Sequence, residues 1–166
     1  ISFTLLKKRC TGIGTALAYG IGHGGIEAVL LAGLAMVNSI ITSVMINAGQ
    51  IETITGVLSG ELLEQANIQI AALASSAPYL FLVGGIERLF ALGVQTALSV
   101  IVFYAVHGKN KKWLFPLAIL IHAVIDIPAA ALQVGLIQNI LLVEALVGVS
   151  AVLLVLAAKS VHEKNK

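Results

Sequence analysis

Residues 114–135 read LFPLAILIHAVIDIPAAALQVG, in which Asp126 is the sole formal charge. A stretch of this length and polarity matches the ~20 apolar residues that cross a bilayer as a helix. Three other stretches behave alike. Ala28–Ile51 and Leu89–Gly108 carry no Asp, Glu, Lys or Arg, and Leu136–Ala158 is interrupted only by Glu144. A fifth, Gln65–Ile86, is too polar in its front half to span.

Composition agrees. The chain has 166 residues, 58% hydrophobic and only 11% charged, with a mean hydropathy of +1.00. Soluble domains carry roughly 25% charged residues, so this chain lacks the polar surface to face water and must be solvated largely by lipid. The expected fold is all-α: a polytopic transmembrane bundle of about four spans, forming a single membrane-embedded domain over 1–166.

The charges fall in an order that fits four spans. Lys7, Lys8 and Arg9 precede the first, Lys109, Lys111 and Lys112 lie between the second and third, and Lys159, Lys164 and Lys166 follow the fourth. Four crossings put all three clusters on one side and Glu52, Glu61 and Glu64 on the other. The positive-inside rule then places both ends in the cytoplasm of a cell membrane. A net charge of +2 is too small to imply nucleic acid. The lone Cys10 cannot form an internal disulfide and is expected to be a free thiol on the reducing side. The sequence opens on Ile1 rather than Met, so missing N-terminal sequence is expected, and the span count applies to this stretch alone.

Local punctuation refines the boundaries. The run Gly20-Ile-Gly-His-Gly-Gly25 is expected to kink or break the first helix, since glycine weakens helices in water while letting backbones approach closely in membranes. Gln50–Gly60 reads as a loop. Glu61–Ala74 has helical apolar spacing and is expected to lie on the outer membrane surface. Ser75-Ser76-Ala77-Pro78 resembles a helix start, with a serine cap and a first-turn proline. Gly84-Gly85 is expected to bend the second span. Trp113 suits an interface, and Pro128 is expected to kink the third span. The fourth is expected to start near Leu136.

Ionisable groups at membrane depth cost at least ~2.5–3.5 kcal/mol each on insertion scales, so those retained here are candidates for function. They are Glu27, Glu87, Arg88, Asp126 and Glu144, with His23 and His122. Four acids against one arginine imply protonation of some, or a cation among them. His23/Glu27 and His122/Asp126 are each spaced i,i+4, one helical turn apart. Imidazole and carboxylate are zinc ligands, and two such pairs on facing helices could assemble a metal site. At 1.5 Å per residue, His122 lies roughly 14 Å from Trp113, Asp126 about 20 Å, and Glu87 roughly 14 Å from Pro78, all near mid-membrane. Glu87 and Arg88 project about 100° apart, so they are not expected to pair with each other. Arg88 is expected to bridge to a carboxylate on another helix, and Gln95, on the same face, to line the interior. Against these readings, an intramembrane histidine also serves as a plain helix–helix hydrogen-bonding group, and Glu144 as a structural or protonated acid.

Three segments together resemble one family: Gly20-Ile-Gly-His-Gly-Gly-Ile-Glu-Ala28, Ile86-Glu-Arg-Leu-Phe-Ala-Leu-Gly-Val-Gln-Thr-Ala-Leu-Ser99, and His122-Ala-Val-Ile-Asp126. They look like the YhfC family of membrane peptidases, distantly similar to the CAAX prenyl protease and bacteriocin-processing group. The resemblance implies an intramembrane metalloprotease with Glu27 in the first motif and His122 and Asp126 in the third. The first reading is then a zinc ion held by His122 with His23 and Asp126, Glu27 as general base, Glu87 as second choice, and Arg88 positioning carboxylates or an oxyanion. The implied substrate is a membrane protein or peptide. One departure stands out: Gln95 occupies a position where the family typically has histidine, which implies impaired activity. Two alternatives follow from the residues themselves. One is a non-catalytic protein binding a peptide or partner helix, and the other a small proton-coupled transporter.

Overall fold

The computed structural model describes Thr4 and residues 11–165. Lys7, Lys8, Arg9, Cys10 and Lys166 lie outside the described residues. All regular structure in the described chain is helical, and four helices are long and apolar enough to cross a membrane. The helices are α1 (Ile13–Glu27), a π-helical turn (Ala28–Gly33), α2 (Leu34–Asn47), α3 (Glu52–Thr55), α4 (Gly60–Ser75), α5 (Tyr79–His107), α6 (Leu114–Gln133) and α7 (Ile140–Glu163). The described chain divides into two compact units, one containing residues up to Ile26 and from Gly85 onward, the other Glu27–Gly84.

The first unit is built around α5. Neighbours bury 56% of its apolar span, against 11% for α6 and 28% for α7. Its core includes Val94, Leu98, Ile101 and Phe103 of α5, Leu114 and Ala118 of α6, and Ala151 and Leu154 of α7. α1 joins through small residues one turn apart: Ala16, Gly20 and Gly24 are all buried. A Cβ on Gly20 would stand 2.5 Å from Thr96 Cα, and one on Gly24 3.0 Å from Leu92 Cδ1 and 3.1 Å from Gln95 Cβ. Small residues at this spacing let helix backbones approach where lipid offers no hydrophobic drive for association.

This corrects the expectation of a break at Gly20–Gly25. α1 runs unbroken through the glycines, and the irregularity falls just beyond, at Ala28–Gly33. In a bilayer no water competes for the backbone groups, so a helix tolerates glycine far better than in solution. Gly84-Gly85 likewise sits inside continuous α5.

The far end of this unit is tied together by polar contacts. Tyr104 Oη and His162 Nδ1 are 2.5 Å apart, and Lys111 Nζ donates to Asn165 Oδ1. The turn after α5 and the end of α7 therefore share one end of the unit, as four-span topology requires of these two basic clusters.

The second unit has no buried residue. α2 packs on α4 while Leu31, Leu34, Val37, Ile40 and Val44 remain more than half exposed. Such a surface suits lipid rather than water. The expected loop 50–60 holds the single turn α3, and the expected helix at 61–74 is α4. Ser75 and Ser76 do not cap α5. Their hydroxyls donate backward to the carbonyls of Ala71 and Ala72, finishing α4. Serine bonds readily to the carbonyl one turn earlier, and here that outcompetes the forward cap. α7 starts at Ile140 rather than Leu136. Gly135 (φ +76°) ends α6 and the Asn139 side chain accepts from Leu142 N at 3.1 Å, a helix N-cap.

Candidate functional site

The packing of α1 on α5 and of α6 beside them leaves a cavity of about 210 Å³ in the first unit. Its polar lining consists of Tyr19 and His23 from α1, Gln95 and Ser99 from α5, and His122 from α6. The helical register explains the meeting. Tyr19 and His23 are one turn apart and flank the Ala16/Gly20/Gly24 seam, and Gln95 and Ser99 are one turn apart on α5. Gln95 is only 9% exposed and Ser99 is also buried. The Tyr19 ring stacks on His23, with centroids 5.9 Å apart and planes within 15°.

On α6, His122 Nε2 lies 3.4 Å from Asp126 Oδ2, and the two side chains are 38% and 65% exposed. A carboxylate beside Nε2 orients the ring and favours the proton on that nitrogen. Asp126 is absent from the cavity lining. Glu27 closes α1 one turn beyond His23.

A separate polar group sits higher on α5. Arg88 Nη2 donates to Glu87 Oε1, with both side chains less than a third exposed. The expectation that adjacent residues could not pair is therefore corrected. Their Cβ atoms diverge by about 100°, but the long flexible arms of Arg and Glu swing back across that gap. Glu144 of α7 lies within electrostatic range of both, and its Oε2 is buried with no hydrogen-bond partner.

Of the residues singled out from sequence, the structure thus brings His23, Gln95 and His122 to one cavity, and groups Glu87, Arg88 and Glu144 elsewhere in the same unit. Tyr19 and Ser99 were not anticipated. Their i,i+4 spacing to His23 and Gln95 was the available signal.

Four helices long and apolar enough to cross a membrane, three of which line a cavity bearing two histidines, define a multi-pass membrane protein. The chain belongs to the YhfC intramembrane metalloprotease family, whose pattern matches residues 1–147. It is 40% identical over 139 residues to "Uncharacterized membrane protein YhfC" of Bacillus subtilis (strain 168). That match covers 82% of this chain and 52% of the relative, so the chain spans about half the length of the curated relative. No solved structure matches it.

The family description implies a metal. Among the described residues, no three His, Cys, Asp or Glu side chains gather closely enough to hold one. The cavity offers two imidazoles, those of His23 and His122, beside the amide of Gln95. A catalytic zinc takes three protein ligands, so the donors assembled here fall short of that set.

Proposed function

We propose that this protein is an intramembrane metallopeptidase-like protein that acts on peptide segments at membrane depth. Its working pocket is the cavity shared by His23, Gln95 and His122. The meeting of these three side chains, from three different helices, is the observation that carries the reading. Polar groups at membrane depth are costly and cluster where function requires them.

In this reading Asp126 orients His122 and keeps its proton on Nε2, so that Nδ1 carries the lone pair offered to a metal. The Gln95 amide donates to a substrate carbonyl and accepts from its N–H, holding a peptide group in place. Glu27, one turn beyond His23 on α1, serves as the general base, and the Glu87–Arg88 pair, grouped with Glu144 away from the cavity, is left out of the chemistry there. Zinc is the proposed ion, with His23 and His122 as its donors and Asp126 orienting His122 from outside the cavity. The described residues leave that coordination incomplete. The basic end formed by the 108–112 turn and the end of α7 faces the cytoplasm, and the membrane is the cell membrane.

The test is hydrolysis of a membrane-spanning reporter peptide in liposomes, together with metal analysis of the purified protein. His122→Ala should abolish cleavage and lower bound zinc. Unchanged activity and metal content would overturn the assignment. Gln95 favours a second reading, in which the protein binds a peptide or partner helix without cutting it. That reading predicts retained peptide binding, no cleavage by the wild-type protein, and no effect of Glu27→Ala.

A further inference from the structure

α1 carries three parallel stripes. Ala16, Gly20 and Gly24 pack on α5, Tyr19 and His23 face the cavity on one side, and Ile13, Leu17 and Ile21 line a second, larger hollow on the other. This second hollow is a groove of about 570 Å³ between α1, α5 and α7. Its walls are apolar except for Thr96 near its middle and Lys159 and His162. The Thr96 hydroxyl is already committed, donating to Leu92 O at 2.8 Å, so the interior makes no polar demand on an occupant. A peptide strand, with unpaired backbone groups, would be unsatisfied there.

The dimensions are those of one leaflet. The α5 wall runs from Leu89 to Val100, roughly 16 Å at 1.5 Å per residue, about half of a ~30 Å hydrocarbon core. Lys159 and His162 come from the end of α7 that also carries the Lys111–Asn165 contact, the basic end of the unit. Lys159 is held only by an exposed pairing with Glu163 at 4.0 Å, which is weak and leaves the ammonium free to turn. Tyr104 Oη occupies Nδ1 of His162, which leaves Nε2 as the ring nitrogen available to a further partner.

The geometry points to a lipid site: the groove holds an acyl chain of an anionic phospholipid, whose phosphate is met by Lys159 and His162 at the mouth. The source is the leaflet on the basic side, where anionic headgroups are drawn to lysine. Gly93 leaves this space open, because a Cβ there would meet nothing within 4 Å. This inference is independent of the peptidase reading, since no cavity residue takes part in it.

The experiment is native mass spectrometry of the full protein with phosphatidylglycerol and phosphatidylcholine, together with photo-crosslinking in membranes by phosphatidylglycerol bearing a diazirine on its acyl chain. Preferential retention of phosphatidylglycerol is expected, falling about five-fold in Lys159→Ala and largely lost in Gly93→Leu, whose side chain would stand in the groove. Crosslinks should concentrate in peptides spanning 13–21 and 89–100, a readout that does not depend on any variant folding. Equal retention of both lipids, crosslinks spread evenly over the exposed helix faces, or a bound peptide in place of lipid would each overturn the proposal.

Discussion

His122 Nε2 and Asp126 Oδ2 stand 3.4 Å apart on one face of α6, while the same imidazole borders the cavity that His23 enters from α1. In the proposed reading this pairing sets which ring nitrogen carries the proton. Asp126→Asn would keep the volume but turn an acceptor into a group that can also donate, releasing the tautomer. Loss of such a supporting carboxylate typically costs roughly 10–100-fold in activity or metal affinity. We expect reporter-peptide cleavage to fall in that range, and the ¹⁵N spectrum of His122 to move from the Nε2–H form to a mixture. An unchanged tautomer with unchanged activity would reduce the pair to a surface contact.

Gln95 is buried at the cavity, and its position is where the family resemblance predicts histidine. An amide is a poor zinc ligand and cannot act as a base near neutral pH. Gln95→His would add a third imidazole to those of His23 and His122, completing a ligand number that zinc accepts. Bound zinc in the purified variant should rise toward stoichiometric occupancy, and cleavage should rise with it. If metal content stays at the wild-type level, Gln95 is not a lost ligand and its amide serves peptide binding.

The seam between α1 and α5 gives a stability test with its own control. A Cβ on Gly20 would lie 2.5 Å from Thr96 Cα, a backbone atom that cannot move aside. Gly20→Leu should cost about 1–3 kcal/mol or more from overpacking, read as a lower thermal midpoint in detergent. Gly22 has nothing within 4 Å of its built Cβ, so Gly22→Leu should leave the midpoint unchanged. Equal midpoints in the two variants would mean that close packing at Gly20 does not govern this segment.

Much of this architecture is legible in hydropathy, because bilayer thickness sets span length directly: the apolar stretches Leu89–Gly108 and Leu114–Gly135 end within two residues of α5 and α6, although α5 begins ten residues earlier, at Tyr79. Glycine was misleading. Its cost in water predicted a break at Gly20–Gly25, yet α1 continues and the π-helical turn follows at Ala28–Gly33, where no residue type announces it. The i,i+4 spacing pointed to His122 with Asp126, which the structure pairs, and Gln95 was expected to face the interior, as it does. Tyr19 and Ser99 escaped notice because neither is charged, and their meeting depends on how α1 docks on α5. The Glu87–Arg88 contact was missed because Cβ directions describe short side chains well and long ones poorly.

That last contact can be weighed by a double-mutant cycle. Arg88 is the sole guanidinium near Glu87 and Glu144 among the described residues, and Glu144 Oε2 is already buried without a partner. Arg88→Met would leave two carboxyl groups sharing a low-dielectric region with no compensating cation. Removing one partner of a fully buried pair costs 3–5 kcal/mol. With these side chains 27–29% exposed, a smaller loss of about 1–3 kcal/mol is expected. Adding Glu87→Gln to that variant removes the orphaned charge and should recover most of the loss, giving a coupling energy within the ~0.5–3 kcal/mol seen for contacting residues. Purely additive midpoints would show that Arg88 acts through another group, and the neutralising role assigned to the pair would be lost.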